Sequence, residues 1–243
     1  MPDISEYRVD YGTQELMFSL ERRKRKTLAI EVHPDGSVRV KAPLRSSLQD
    51  IRERVERRGG WILKQQRRFA ELPPPQPARQ YVSGESYRYL GRQVRLKVVG
   101  GALEGVKLYG SRLEVMVQHP RETNRVRQLV QAWYRSRAET VFTERLKHCR
   151  HQVAVFGIEH SGAFELRRMR KRWGSCSVDG RILLNTQLVG APLACIDYVI
   201  IHELCHVIQH NHSQAFYDLL SACLPDWRER KRMLDTTLTG NMF

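Results

Sequence analysis

The sequence predicts an α+β fold, with a β-rich N-terminal region over residues 1–120 and a compact core over residues 121–243. Two observations lead to this division. Short runs with alternating apolar residues, separated by glycine-containing turns, dominate the first part and are typical of strands. Longer segments with apolar residues at helical spacing dominate the second part. Taken in order along the chain, the elements support each half of this prediction.

The N-terminal region begins with segments that have strand patterns. Leu16–Leu20 and Thr27–His33 are such segments, and the turn sequence Pro34–Gly36 leads into a return strand, Ser37–Lys41. A basic run at residues 22–26 separates two of the strands. A solvated hairpin loop is the favoured interpretation of this run, and a phosphate-contacting patch is the alternative.

One basic helical segment is expected inside this region, at about residues 46–70. Its apolar residues have the spacing of one buried face, and Gly59-Gly60 is expected to divide it into two helices. The exposed faces are strongly basic and could bind phosphates, but a charged solvent-exposed surface is the commoner reason. The proline-rich stretch Pro73–Pro77 marks an extended connection, and strands resume over residues 81–117.

The core is expected to begin with a long helix over residues 121–150. Its buried stripe runs from Val126 to Leu146, and cations gather near its C-terminal end, where the helix dipole favours them. His148 and His151 could be a metal-binding pair at i, i+3. Because no carboxylate adjoins them, a helix-end role is the favoured interpretation.

A β-hairpin is predicted over residues 163–188, directly before an apolar run that leads into another helix. Phe164 begins the first strand, Gly174 permits a close backbone approach, and the turn at Asp179-Gly180 leads into the strand ending at Asn185. A strand beside the following helix could align an extended substrate by backbone pairing.

Arg170 and Arg172 lie in a dense cationic run within this stretch. They could hold an anionic group, such as a phosphate or a developing oxyanion, or they could pair with core carboxylates such as Asp197. Asn185 could tie the loop to a helix or bind the substrate backbone. The candidate substrate-binding residues are Arg170, Arg172, Trp173, Asn185 and Tyr217.

The helix that follows contains the sequence His-Glu-x-x-His at residues 202–206. Residues four apart on a helix lie one turn apart on the same face, so His202 and His206 can present two imidazole nitrogens to one metal ion. Glu203 lies next to the first ligand, where it can hold and deprotonate a water molecule on the metal without being a ligand itself. That arrangement is typical of zinc hydrolases.

A catalytic zinc usually has three protein ligands and one position for water. His210 continues the helical face, but three ligands on an uninterrupted helix would spread over about 12 Å, too far for one ion. A ligand after a chain reversal fits better, with Asn211 as a left-handed helix stop. His212 is therefore the expected third ligand, His210 a helix-end residue, and Ser213 the N-cap of another helix.

Composition limits the classes of partner. The chain carries 41 Lys and Arg against 26 Asp and Glu, a net charge of +15, which favours anionic partners such as nucleic acid or nucleotides. The alternative is a basic protein with no polyanionic ligand. Five scattered cysteines form no C-x-x-C pair, which predicts reduced thiols in a cytoplasmic protein. No signal peptide, membrane segment or membrane partner is expected.

The motifs together resemble a known family. The sequences at residues 170–177, 182–185, 196–206 and 211–216 resemble the YgjP-like (DUF45) metal-dependent hydrolases, which are related to the SprT and WLM zincin-like metallopeptidases. The resemblance covers residues 16–234, roughly. It implies a compact zincin-like catalytic core in the second region, one Zn²⁺ on His202, His206 and His212, and Glu203 as general base.

Three functions are compatible with these residues, and the sequence leaves the oligomeric state unknown. The leading prediction is a zinc-dependent metallopeptidase that acts on peptides or proteins, with Tyr198, Tyr217 or an arginine stabilising the oxyanion. The alternative is a metal-dependent nucleoside triphosphate pyrophosphatase, in which Arg167–Arg172 would clamp the phosphates. The third is a nucleic-acid-binding protein with a structural zinc.

Overall fold

The computed structural model describes residues 4–33, 35–71, 79–169 and 172–238. The chain forms two compact units, Met1–Pro75 and Gln76–Phe243. Helices and mixed sheets are both present, and the N-terminal part is rich in strands, so the predicted α+β class is confirmed. The turn residue Pro34 and the stretch Pro73–Pro77 lie outside the described residues.

The first unit is a four-stranded sheet covered by two helices. Its strands are in the order β1-β2-β4-β3, with a parallel pair in the centre and antiparallel pairs at both edges. Alternate residues of β2 and β4, such as Phe18 and Val40, are buried beneath Ile51, Val55 and Ile62 of the helices. The elements are β1 (Ile4–Tyr11), β2 (Gln14–Arg23), β3 (Ala29–Val32), β4 (Val38–Pro43), α1 (Leu48–Arg57) and α2 (Gly59–Ala70).

The expected break at Gly59-Gly60 is present. Helix α1 ends at Arg57, and α2 begins at Gly59. Gly59 is buried against the ring of Tyr11, where a Cβ atom would lie 2.3 Å from the ring carbon Cδ2. Only glycine lets the start of α2 approach this ring so closely.

The second unit begins with a sheet of the same topology. Its strand order is β5-β6-β8-β7, and β6 and β8 again form the central parallel pair. The two sheets therefore share one arrangement of hairpin, parallel crossing and hairpin. The strands are β5 (Ser86–Tyr89), β6 (Arg92–Gly100), β7 (Gly105–Tyr109) and β8 (Arg112–Val117).

Helix α3 (Thr123–Val153) packs against this second sheet. Leu96 and Val115 of the sheet share one apolar core with Phe142 and Leu146 of the helix. The sequence predicts a boundary at residue 120, between these strands and this helix. The compact units divide after residue 75, because the strands over residues 86–117 bury their apolar face within the second unit. The boundary between a β-rich region and a catalytic core at residue 120 stays a prediction.

The rest of the second unit contains the predicted hairpin and three helices. The hairpin strands β10 and β11 are antiparallel, and β9 adds to β11 in parallel, which leaves β10 at the edge of this sheet. No helix in the described part of the chain is both long and apolar enough to cross a membrane. The elements are β9 (Phe164–Arg167), β10 (Gly174–Cys176), β11 (Ile182–Asn185), α4 (Leu193–Cys205), α5 (Gln214–Cys223) and α6 (Trp227–Leu238).

Candidate metal centre

Helix α4 carries the His-Glu-x-x-His sequence through the interior of the second unit. Ten of its thirteen residues are buried, because α3, α5 and α6 pack around it. Pro192 precedes its first turn, as expected of a residue with no N–H to donate. The last ordinary helical residue is Cys205, and His206 is the C-cap. The helix thus ends within the motif, which frees the chain to reverse direction.

Three imidazoles converge at the end of α4. The Nε2 atom of His212 lies 3.0 Å from Nε2 of His202 and 3.2 Å from Nε2 of His206. A tetrahedral ion with Zn–N bonds of 2.0–2.1 Å would place its ligand nitrogens about 3.3 Å apart. The observed spacing is close to this value, so these three residues could hold a metal ion.

A hydrogen bond of His206 indicates which of its ring nitrogens carries the proton. The Nδ1 atom of His206 lies 2.8 Å from the carbonyl oxygen of Gln209. A carbonyl oxygen only accepts, so Nδ1 carries a proton, and in this tautomer Nε2 has a lone pair directed at the other two histidines. A cation at the meeting point satisfies these lone pairs, which supports the metal-binding interpretation.

The environment of His202 also suits a metal ligand. Burial, with smaller contributions from the nearby His206, His212 and Lys231, lowers the pKa of His202 to about 3. The ring is therefore neutral at physiological pH, as a metal ligand must be. Its Nδ1 atom is buried and has no hydrogen-bond partner among the described residues.

Chain reversal after α4 brings the third histidine into place. The predicted left-handed stop at Asn211 is wrong, because the described non-glycine residues with positive φ are Tyr81 and Leu90. Asn211 instead accepts a hydrogen bond from the backbone N–H of Ser213, 3.2 Å away. Ser213 is the N-cap of α5 as expected, although its side chain makes no capping bond.

A buried phenylalanine supports the three rings. The ring of Phe216, in the first turn of α5, lies 4.9 Å from His202, 4.5 Å from His206 and 4.9 Å from His212, measured between ring centroids. The spacing of Phe216, Leu219 and Leu220 predicts that α5 packs under the metal-binding helix, but it does not reveal that Phe216 contacts all three histidine rings. Its apolar ring fixes the orientation of the histidines and excludes water from one side of the cluster.

Glu203 is buried beside the histidine cluster. Burial raises the pKa of Glu203 to about 8, while the Arg172 charge and the backbone N–H of Cys176 lower it by smaller amounts. Only 5% of its surface is exposed. A carboxylate in such a place has a raised affinity for a proton, which is the property required of a general base.

Strand β10 packs directly on this carboxylate. A Cβ atom at Gly174 would lie 2.5 Å from Oε1 of Glu203 and 2.7 Å from its Cγ. The close approach expected of Gly174 is therefore to Glu203, a partner that the sequence did not identify. The missing side chain at residue 174 leaves room for the carboxylate, and the backbone N–H of Cys176 donates to it. Both features hold the carboxylate at the edge of the sheet.

The remaining candidate substrate-binding residues differ in their exposure and in the groups that they contact. Arg170 lies outside the described residues. The Arg172 side chain is exposed, and its guanidinium donates to Ser175 Oγ at 3.4 Å. Trp173 is half-buried against the apolar core. Asn185 is fully buried and donates to the carbonyl oxygens of Met169 and Arg172, so it ties down the preceding loop.

Aromatic rings line the side of the cluster nearest α6. Tyr217 lies 6.3 Å from His212 and 5.5 Å from Trp227, and Trp227 stacks in turn on Tyr198 at 6.5 Å. Tyr217 is half-buried, whereas Tyr198 is buried. Of the two predicted oxyanion donors, Tyr217 is the more open to a substrate.

Within the described part of the chain, Asp197 pairs with arginines of α3 and α6. Its carboxylate receives two hydrogen bonds of 2.7 Å from Arg145 of α3, and Arg230 of α6 lies 4.0 Å away. The sequence suggested that Asp197 could pair with Arg170 or Arg172. Arg172 does not pair with it, and Arg170 lies outside the described residues. The partner is 52 residues earlier in the chain, which no local pattern reveals.

His148 and His151 line a groove near the C-terminal end of α3, together with His160. Among the described residues, the one group of three with metal-ligand geometry is His202, His206 and His212. His210 is exposed just after α4 and does not belong to that group.

Comparison with known proteins agrees with this geometry. A family model described as the YgjP-like, metallopeptidase domain matches residues 26–237, which is most of the chain. Comparison with curated proteins gives no match. The match includes the three histidines, Glu203 and the strand that packs on it. The chain belongs to the YgjP-like family, and its family description supports a metal-dependent hydrolase.

Proposed function

We propose that this protein is a zinc-dependent metallopeptidase. The observation that carries the proposal is the meeting of three imidazole Nε2 atoms, 3.0 and 3.2 Å apart, beside the buried carboxyl group of Glu203. His202, His206 and His212 would hold the ion. When bound, zinc supplies Lewis-acid activation of a water molecule and of the scissile carbonyl.

Glu203 would act as the general base. Its buried position favours proton uptake from the attacking water, and its anchoring by β10 keeps the carboxylate in one orientation. The same residue would then pass the proton to the leaving amine. Arg172 and Tyr217 are the proposed substrate contacts, because both are accessible near this carboxylate and the histidines.

Strand β10 is the proposed place for an extended peptide. It is an edge strand, so one side of its backbone has no neighbouring strand within its sheet. An extended substrate could pair with this edge, as peptides do with exposed strands in many complexes. Because β10 packs on Glu203, a peptide bound there would have its backbone beside the general base.

Three comparisons test the proposal on the purified, zinc-loaded protein. Denatured casein should be degraded, and a zinc chelator should stop the reaction. Glu203→Gln should retain one zinc per chain and lose turnover, whereas His206→Ala should lose the zinc as well. Full activity of Glu203→Gln would contradict the general-base role. Zinc binding without hydrolysis of any protein substrate would contradict the peptidase assignment.

A second candidate is hydrolysis of nucleoside triphosphates, and one observation favours it. The positive charge of Arg172 lowers the pKa of Glu203, and the guanidinium of Arg172 is exposed. Arg172 could therefore bind a phosphate near the candidate centre. Parallel assays of casein and nucleoside triphosphates distinguish the two. Arg172→Gln should weaken the use of triphosphates far more than that of casein if phosphates are the substrate.

A purely structural zinc has less support. Structural sites usually have four protein ligands and often use thiolates. In the described part of the chain, three ligands meet, and the nearby Cys205 is buried with its thiol directed to Cys223. The three-ligand set supports an open, catalytic site.

A further inference from the structure

The solvent face of helix α2 combines positive charge with an exposed aromatic ring. Around α2, the buried Ile62 marks the face on the sheet, and the residues on the opposite side are exposed. We define the α2 basic face as Trp61, Lys64, Arg67 and Arg68. Residues at spacings of three and four lie on one side of a helix, so these side chains form a continuous surface.

This charge is not balanced within the helix. Gly59–Ala70 contains three cations and no acidic residue. The neighbouring α1 has three acids, Asp50, Glu53 and Glu56, against Arg52, Arg54 and Arg57, so its charges cancel. The two caps, Arg58 and Glu71, add one charge of each sign, so the three cations of α2 remain in excess, and such a positive field attracts a polyanion.

Trp61 adds an exposed aromatic ring to this basic surface. Its side chain is 41% exposed, although a tryptophan on a helix of this small unit could have been buried against the sheet. An exposed ring among cations is the combination that single-stranded nucleic acid requires, because phosphates bind the cations and bases stack on the ring.

A cavity adjoins this face at Arg67, on the flank of α2 that lies away from Trp61. It has a volume of about 380 Å³ and is lined by Gln14, Leu63, Gln66, Arg67 and Ala70. Leu63 and Ala70 provide apolar surface, whereas the two glutamine amides can donate and accept hydrogen bonds. Gln66 uses its amide nitrogen to bind the carbonyl oxygen of Gly36 at 2.8 Å, which leaves its oxygen as an acceptor. These are suitable surroundings for one unpaired base.

We propose that the α2 basic face and the adjoining cavity bind single-stranded nucleic acid. Lys64, Arg67 and Arg68 contact backbone phosphates, Trp61 stacks on one base, and the cavity receives another. All residues of this site belong to the first unit, and the proposal does not depend on the proposed peptidase activity. Double-stranded DNA is a poor ligand because its bases are already stacked on each other.

The test measures binding of a fluorescein-labelled thymidine oligonucleotide, of about 15 residues, to the full-length protein by fluorescence anisotropy at several salt concentrations. The variant Lys64→Gln/Arg67→Gln/Arg68→Gln should reduce the slope of log K against log salt by about 2, since each phosphate contact to a single strand contributes about 0.7. The matched control is Lys107→Gln/Arg127→Gln/Arg135→Gln, which removes equal charge from exposed residues of the second unit.

The aromatic contribution is tested separately. Trp61→Ala should weaken binding roughly tenfold, and Trp61→Phe should retain most of the affinity because a ring remains. Tyr109→Ala is the control, since Tyr109 is 50% exposed in the other unit. Circular dichroism verifies that every variant is folded.

Several results would overturn the proposal. Equal losses in the two triple variants would mean that total charge, not the α2 basic face, drives binding. An unchanged affinity of Trp61→Ala would exclude stacking. Duplex DNA, polyglutamate or phosphatidylserine vesicles that compete as well as the single strand would assign the surface to a duplex, an acidic protein or a membrane instead.

Discussion

Replacing Gly174 with alanine is expected to impair catalysis while leaving the metal ligands intact. The added Cβ would lie 2.7 Å from Glu203 Cγ and 2.5 Å from its Oε1. Carbon atoms in favourable contact are about 3.5–4.0 Å apart. The carboxylate or strand β10 must therefore move by about 0.8 Å or more to accommodate one methyl group.

A displacement of this size has a predictable effect on rate. Misplacing a reacting group by about 1 Å can reduce the rate about 100-fold, which corresponds to about 2.7 kcal/mol in the activation barrier. We therefore expect kcat/KM on a peptide substrate to fall by about two orders of magnitude. Zinc content should remain at one ion per chain, because the clash falls on Glu203 and not on the three histidines.

The assay compares Gly174→Ala with Gly105→Ala, both zinc-loaded, by peptidase rate, zinc content and thermal unfolding. Gly105 is a matched control because a Cβ there would meet no atom within 4 Å and its φ is not positive. Gly105→Ala should behave as the wild type. If Gly174→Ala is folded, binds zinc and retains wild-type turnover, the inference that β10 positions Glu203 is wrong.

Three further outcomes are expected. Asp197→Asn should lower the free energy of unfolding by about 3 kcal/mol in urea titrations, because it breaks a largely buried ion pair. Asp179→Asn, in an exposed pair, should change it little. Burial and a nearby cation lower the pKa of His160 from its ordinary value of 6.5. As the pH falls below 6.5, this histidine therefore takes up its proton in the unfolded chain before it does so in the folded chain. Stability is lost as the pH falls, because protons favour the unfolded state. His160→Asn should therefore flatten the decline of the unfolding midpoint below pH 6.5, and an unchanged decline would exclude this residue as its source. Zinc should raise the free energy of unfolding by an amount that grows with its concentration, about 2.7 kcal/mol at 100 times the Kd, and so raise the unfolding midpoint. The absence of any shift would contradict metal binding by the folded state.

The local patterns of the sequence determined the fold class, the helix with the His-Glu-x-x-His sequence and the break before α2. Helical and strand periodicities depend on neighbouring residues, so they can be read without knowing the tertiary structure. The sequence also identified the family, which the family match over residues 26–237 confirms. His212 as third ligand and Glu203 as base followed from spacing and resemblance, and their catalytic roles stay predictions.

Tertiary structure alone decided what surrounds these residues. The contact of Gly174 with Glu203, the Phe216 ring under the histidines and the pairing of Asp197 with Arg145 join segments that are distant in sequence. The division of the chain after residue 75 likewise depends on which helix covers the second sheet. Such contacts follow from packing and charge pairing between elements, which depend on how the chain folds back and not on periodicity along it.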